Sequence, residues 1–165
     1  MEDSPQSSLT DKIVLHLRSI GLRVTFGAVA NTSFLPGIDV RLGGLVVDPQ
    51  APRYPADLLH EAGHLAVITA ADRNRLDGNV EVANPEPVEA AAIAWSYAAA
   101  MHLQIDVREL FHSGGYRGRA EALAFSFEMG VYPGAAALEN LGLAKLKRPG
   151  VQGPTYPEML TWLAP

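Results

Sequence analysis

Ile13, Leu17 and Ile20 recur at helical spacing behind Thr10 and Asp11, and Gly21 follows as a stop, so the chain is predicted to open with a short amphipathic helix. The period then changes. Across Leu22 to Ala30, Val24 and Phe26 alternate with Arg23 and Thr25, the pattern of a half-buried strand. Ile38, Val40 and Leu42 alternate with Asp39 and Arg41, Gly43-Gly44 interrupts, and Leu45-Val46-Val47 resumes before Asp48-Pro49, which predicts a hairpin or a bulged strand. Beyond Val47 the strand signals stop. Pro55 and Asp57 suit the start of a helix whose apolar positions, Leu58, Leu59, Ala62, Leu65, Ala66 and Ile68, continue to about Ala71.

A polar stretch from Asp72 to Asn84 leads to an Ala-rich helix, opened by Asn84 with Pro85 or Pro87 and extending to about Ile105. Loops at His112-Ser113-Gly114-Gly115, Tyr132-Pro133-Gly134 and Arg148-Pro149-Gly150 separate further helices expected near Arg119 to Met129, Ala135 to Leu146 and Pro157 to Leu163. A helix, a small antiparallel or mixed sheet and then helices make an α+β domain. Residues 1–10 read as a flexible, acidic and Ser-rich lead, and residues 11–165 as one domain.

Composition narrows the chemistry. Thirteen Lys plus Arg against eighteen Asp plus Glu give a formal charge of -5, which offers no global attraction for nucleic acid or anionic lipid. With no cysteine in 165 residues, disulfides, thiolate metal sites and cysteine nucleophiles are all excluded, leaving His and carboxylates as the strong metal ligands. The longest uncharged apolar-leaning run, Ala90 to Ile105, is shorter than a membrane span, and the first ten residues lack the pattern of a secretory signal. The expectation is a soluble, cytoplasmic protein without membrane partners.

Within the helix that follows Pro55 stands His60-Glu61-Ala62-Gly63-His64, an HExxH motif. Imidazoles four residues apart project from one helix face about one turn apart, where both reach a single Zn²⁺. Glu61 lies beside that face, placed to take a proton from an attacking water and pass it to a leaving amine. In a chain with five His, the motif is expected by chance roughly 0.01 times. Gly63, unfavourable inside a helix, points to close approach by another backbone.

A catalytic zinc site needs a third protein ligand. Glu89, in the first turn of the Ala-rich helix where the dipole favours an anion, is the first choice, Glu86 the second, and Glu81 and Asp72 follow. Val67 and Ala70 stand where the metzincin extension requires Gly and His, which excludes that subfamily.

The motif resembles the zincin metallopeptidase signature, and Glu89 ahead of Ala-Ala-Ala-Ile-Ala-Trp-Ser-Tyr resembles the gluzincin arrangement, in which a glutamate on a second helix is the third ligand. Among small chains it is most similar to the ImmA/IrrE type, over about Val40 to Met101. In that type the second helix ends in a Leu-Met-Pro-like sequence, whereas Ala100-Met101-His102-Leu103 continues without proline. The resemblance implies a minimal zincin-like domain, its small and mostly antiparallel sheet packed on the HExxH helix. It also implies a strand within Ile38 to Asp48 on the rim of the cleft, to which peptide adds as a further strand, with Gly43 and Gly44 permitting close approach.

A developing oxyanion needs a donor besides the metal, and His112 and Tyr116, flanking Gly114-Gly115, are the candidates, with Tyr97 more distant. The expected function is a zinc-dependent metallopeptidase-like hydrolase acting on a peptide or protein substrate, with His60, His64 and Glu89 as ligands and Glu61 as general base. A non-catalytic, metal-stabilised interaction module is the alternative, and a metal-free helical adaptor a third reading.

Overall fold

The computed structural model describes residues 8–33, 35–51, 54–78 and 86–165. Helix α1, Leu9–Ser19, begins earlier than the pattern predicts because Ser8 caps it: its hydroxyl accepts from the Asp11 amide at 3.1 Å and the Asp11 carboxylate returns a bond to the Ser8 amide. Leu9 and Thr10 therefore belong to the helix and Ser8 caps it, rather than forming a flexible lead, and residues 1–7 lie outside the described part. Strands β1 (Val24–Phe26), β2 (Ile38–Arg41) and β3 (Gly44–Val47) form one sheet in the order β1-β3-β2.

The β2–β3 pair is the predicted hairpin, antiparallel with Ile38 opposite Val47 and Arg41 opposite Gly44. The other pair, β1 with β3, is parallel, so the sheet is mixed rather than mostly antiparallel. All four residues of the central strand β3 are buried, while β2 alternates. An unbroken apolar run marks the strand covered on both faces.

Helix α2, Asp57–Ala66, carries the motif and stops five residues short of the predicted Ala71. The reason is a second cap. Thr69 accepts from the Asp72 amide and opens a separate turn, α3 (Ala70–Arg73). The Arg73 guanidinium donates to the carbonyls of Leu65 and Ile68, which satisfies the end of α2.

The long helix α4, Glu86–His102, crosses α2 through the middle of the molecule. Ala92, Ala94, Ala98, Ala99, Ala100 and Trp95 are all fully buried, so α4 is covered nearly all round and its small side chains bring the α2 backbone close. Asn84, its predicted cap, is outside the described residues. Three further helices follow: α5 (Val107–Leu110), α6 (Ala120–Glu128) and α7 (Ala135–Asn140). Instead of reaching Leu146, α7 ends where Gly142 adopts φ 74° and the Leu143 amide returns to the Leu138 carbonyl, a Schellman closure.

No helix forms over Pro157 to Leu163. Seven residues led by proline are too few to hold a helix unaided, and their backbone groups find partners elsewhere. Ala144 bridges Met159, the Tyr156 hydroxyl donates to the Ala94 carbonyl, and the Trp162 carbonyl accepts from Trp95 Nε1, both at 2.8 Å. The Ala164 amide reaches the Ala66 carbonyl at the end of α2. The C-terminal segment is thus a strap tying α4 to α2. Among the described residues, no helix is long and apolar enough to cross a membrane.

Candidate metal centre

On α2, Asp57, His60, Glu61 and His64 share one face by helical periodicity. Glu89 approaches that face from the first turn of α4. Its Oε1 lies 3.4 Å from His60 Nε2 and its Oε2 lies 2.8 Å from His64 Nε2, while the two Nε2 atoms are 3.1 Å apart. A tetrahedral zinc with bonds of 2.0–2.1 Å holds its ligands about 3.3 Å from one another. The two imidazole nitrogens stand at about that spacing, each has one Glu89 oxygen beside it, and one ligand atom from each of the three residues lies within 4.8 Å of the others.

The helix crossing that creates this triangle depends on Gly63. A Cβ there would lie 2.6 Å from the Ala92 carbonyl oxygen, so the close backbone approach predicted from the sequence is made by α4, the helix that delivers Glu89. Glu86's side chain and Glu81 lie outside the described residues. Asp72 takes no part: it is exposed and bonded to the Thr69 hydroxyl at 2.9 Å.

The motif residues are buried, with His60 7%, Glu61 5% and His64 0% exposed. Burial, aided by the neighbouring His64 and opposed by Glu89, pushes His60 down to about 4, so its imidazole is neutral at neutral pH, the form that binds a metal. For Glu89 burial works upward. The hydrogen bond from His64 and the proximity of His60, His64 and Arg119 outweigh it and hold the carboxyl below its ordinary value. The site therefore favours a neutral His60 imidazole and a Glu89 carboxylate.

Tyr116 comes to this centre and His112 does not. The Tyr116 ring meets His60 edge-on with centroids 5.3 Å apart, and its buried hydroxyl sits among Asp57, Glu61 and Glu89. Burial, reinforced by those carboxylates, pushes the phenol well above its usual value and keeps it protonated, able to donate. His112 instead commits its Nε2 to Asp57 Oδ1 at 2.6 Å and stacks on Tyr54, ring centroids 3.6 Å apart. Tyr97 is distant from the ligands, in an aromatic cluster with Phe127, Tyr132 and Tyr156.

Sequence reading missed Asp57 and Tyr54 at this site. In sequence Asp57 marks only the start of a helix, although its position one turn before Glu61 places it on the motif face. Burial raises its carboxyl, and the His112 bond works against that rise.

Glu61 opens onto a groove of about 370 Å³ lined by Thr32, Ser33, Leu35, Ile38, Asp39 and Gly78. Strand β2 lines one side of this groove, but its backbone is not free to pair with a peptide. The Ile38 amide donates to Leu35 and its carbonyl accepts from Ser33, while the Val40 amide donates to Asp39 and its carbonyl accepts from Gly78. The chain itself covers this edge. Gly43 and Gly44 sit at the hairpin turn, where Gly43 has φ 73° and bonds the Leu76 carbonyl, and they serve the turn rather than a substrate.

No family model, curated protein or solved structure matches the chain.

Proposed function

We propose that this chain is a zinc-dependent, metallopeptidase-like hydrolase with a minimal zincin-type site. The observation that carries this reading is the convergence of His60 Nε2 and His64 Nε2, 3.1 Å apart, on the two oxygens of the Glu89 carboxylate, at 3.4 and 2.8 Å, on a motif that also supplies Glu61. Zinc held there would supply Lewis-acid polarisation of a peptide carbonyl and acidify water toward neutral pH. Glu61 accepts a proton from the attacking water and delivers it to the departing amine. The Tyr116 hydroxyl donates to the oxygen on which charge develops, and burial of the surrounding groups strengthens that bond. Peptide enters along the groove beside Glu61, held by side-chain pockets rather than by strand addition to β2.

The purified protein is expected to hold one zinc per chain by elemental analysis, and His64→Ala to hold none. Glu61→Gln retains the metal while cleavage of a mixed fluorogenic peptide library falls by about 10²-fold or more. Unchanged cleavage in Glu61→Gln rejects the mechanism, and absence of zinc from the intact protein rejects the metal.

The depth of burial of His60, Glu61 and His64 favours a second reading, a metal-stabilised interaction or regulatory module that cleaves nothing. Under that reading zinc is bound, a fourth protein ligand closes the site, and Glu61→Gln changes nothing measurable.

A further inference from the structure

The loop that carries Tyr116 is held in a conformation it would not adopt by itself. Tyr116 and Arg117 are adjacent non-glycine residues with φ 57° and 51°. Two successive side-chain-bearing residues in the left-handed region persist only where the surroundings over-determine them. Those surroundings converge on one contact. His112 Nε2 and Asp57 Oδ1 are 2.6 Å apart, and the His112 ring lies flat on Tyr54, with planes inclined by 8°. The intervening glycines fit around this pair with no room to spare. A Cβ on Gly114 would come 2.8 Å from the Tyr54 ring, and one on Gly115 would come 3.1 Å from the His112 ring.

We propose that Asp57 and His112 are positioning residues: their bond latches residues 112–118 to the first turn of the motif helix and so sets Tyr116 over His60. Asp57 lies one helical turn before Glu61, so the anchor of the latch and the two histidines share a single rigid element, and any loosening of the loop moves Tyr116 relative to His60 and Glu61. Neither latch residue binds the ion or touches a reacting atom. The latch governs access to the three-ligand cluster, because Tyr116 packs directly against one of its ligands.

The zinc part of the test rests on the metal-centre reading, and the exchange part does not. His112→Phe preserves the ring on Tyr54 and removes the donor, whereas His112→Gln preserves a donor. In zinc-loaded protein, transfer of the ion to a chromophoric chelator is expected to be about tenfold or more faster in His112→Phe, and close to the original rate in His112→Gln. Tyr116→Ala should accelerate release similarly, and combining it with His112→Phe should add little, since both open the same cover. Amide hydrogen exchange should rise across residues 111–119 in His112→Phe while α4 stays protected. Should stranding the Asp57 carboxylate prevent folding, Asp57→Ala/His112→Phe removes both partners and is read the same way. Unchanged release and unchanged loop exchange in His112→Phe overturn the latch. If the intact protein takes up no zinc, the metal reading fails by itself, and the exchange result alone decides the latch.

Discussion

A methyl group on Gly63 would press to 2.6 Å from the Ala92 carbonyl oxygen, where only helix backbone can yield. Helix propensity favours alanine over glycine by about 1 kcal/mol, while overpacking a rigid contact costs about 1–3 kcal/mol. The steric term outweighs propensity because the obstacle is main chain rather than a flexible side chain. Gly63→Ala is expected to lose up to about 2 kcal/mol and lower Tm by up to about 8 °C in a thermal melt. A more stable variant would show that the two helices are not in close contact. The consequence extends to the site, since separating α2 from α4 pulls Glu89 away from His60 and His64. The HExxH spacing was legible from local periodicity alone, and Gly63 announced a neighbour without naming it. That the neighbour is α4 follows only from the packed molecule.

Contacts between elements add a pH dependence away from the metal ligands. His16 on α1 meets His102 at the end of α4 and Trp162 in the C-terminal strap, at ring separations of 5.1 and 5.0 Å. Its Nε2 is buried and finds no hydrogen-bond partner among the described residues. Burial first, and the neighbouring His102 second, push its pKa down to about 4, against 6.5 for an unhindered imidazole. Between those two values the unfolded chain binds the proton and the folded chain does not, so stability falls as pH is lowered from about 6.5 toward 4. In the metal-free protein His60 contributes to the same window for the same reason. His16→Phe keeps an aromatic ring against Trp162, and Tm measured from pH 7 to pH 4 should fall less steeply in this variant than in the parent. Equal slopes would mean that His16 titrates normally. Sequence patterning predicts α1 but carries no signal for the surroundings of His16. Its partners are contributed by a distant helix end and by a segment expected to be helical, and no local pattern reports either.

For the whole molecule, an ion at the proposed centre would be a cross-link. His60 and His64 belong to α2 and Glu89 to α4, so an ion bound by all three would stabilise the arrangement on which the core depends. At a free concentration one hundred times Kd, binding to the folded state alone adds about 2.7 kcal/mol. Adding zinc to metal-stripped protein should raise Tm by about 5–10 °C, a chelator should reverse the rise, and Glu89→Ala should abolish most of it. A Tm indifferent to zinc would leave the three groups as an ordinary buried hydrogen-bonded set. The sequence by itself determined what local repetition encodes: the α+β order of elements, the hairpin from Ile38 to Val47, the motif helix and the Ala-rich helix opening near Glu89. These depend on side-chain period and turn chemistry within a few residues. Only the tertiary structure decided that β1 runs parallel to β3, that the chain covers its own β2 edge, that the last residues form a strap, and that Asp57 holds His112. Each of these is a pairing between groups far apart along the chain, whose free energy comes from burial and from satisfying backbone and side-chain polar groups together, and such pairings leave no periodic trace in the order of residues.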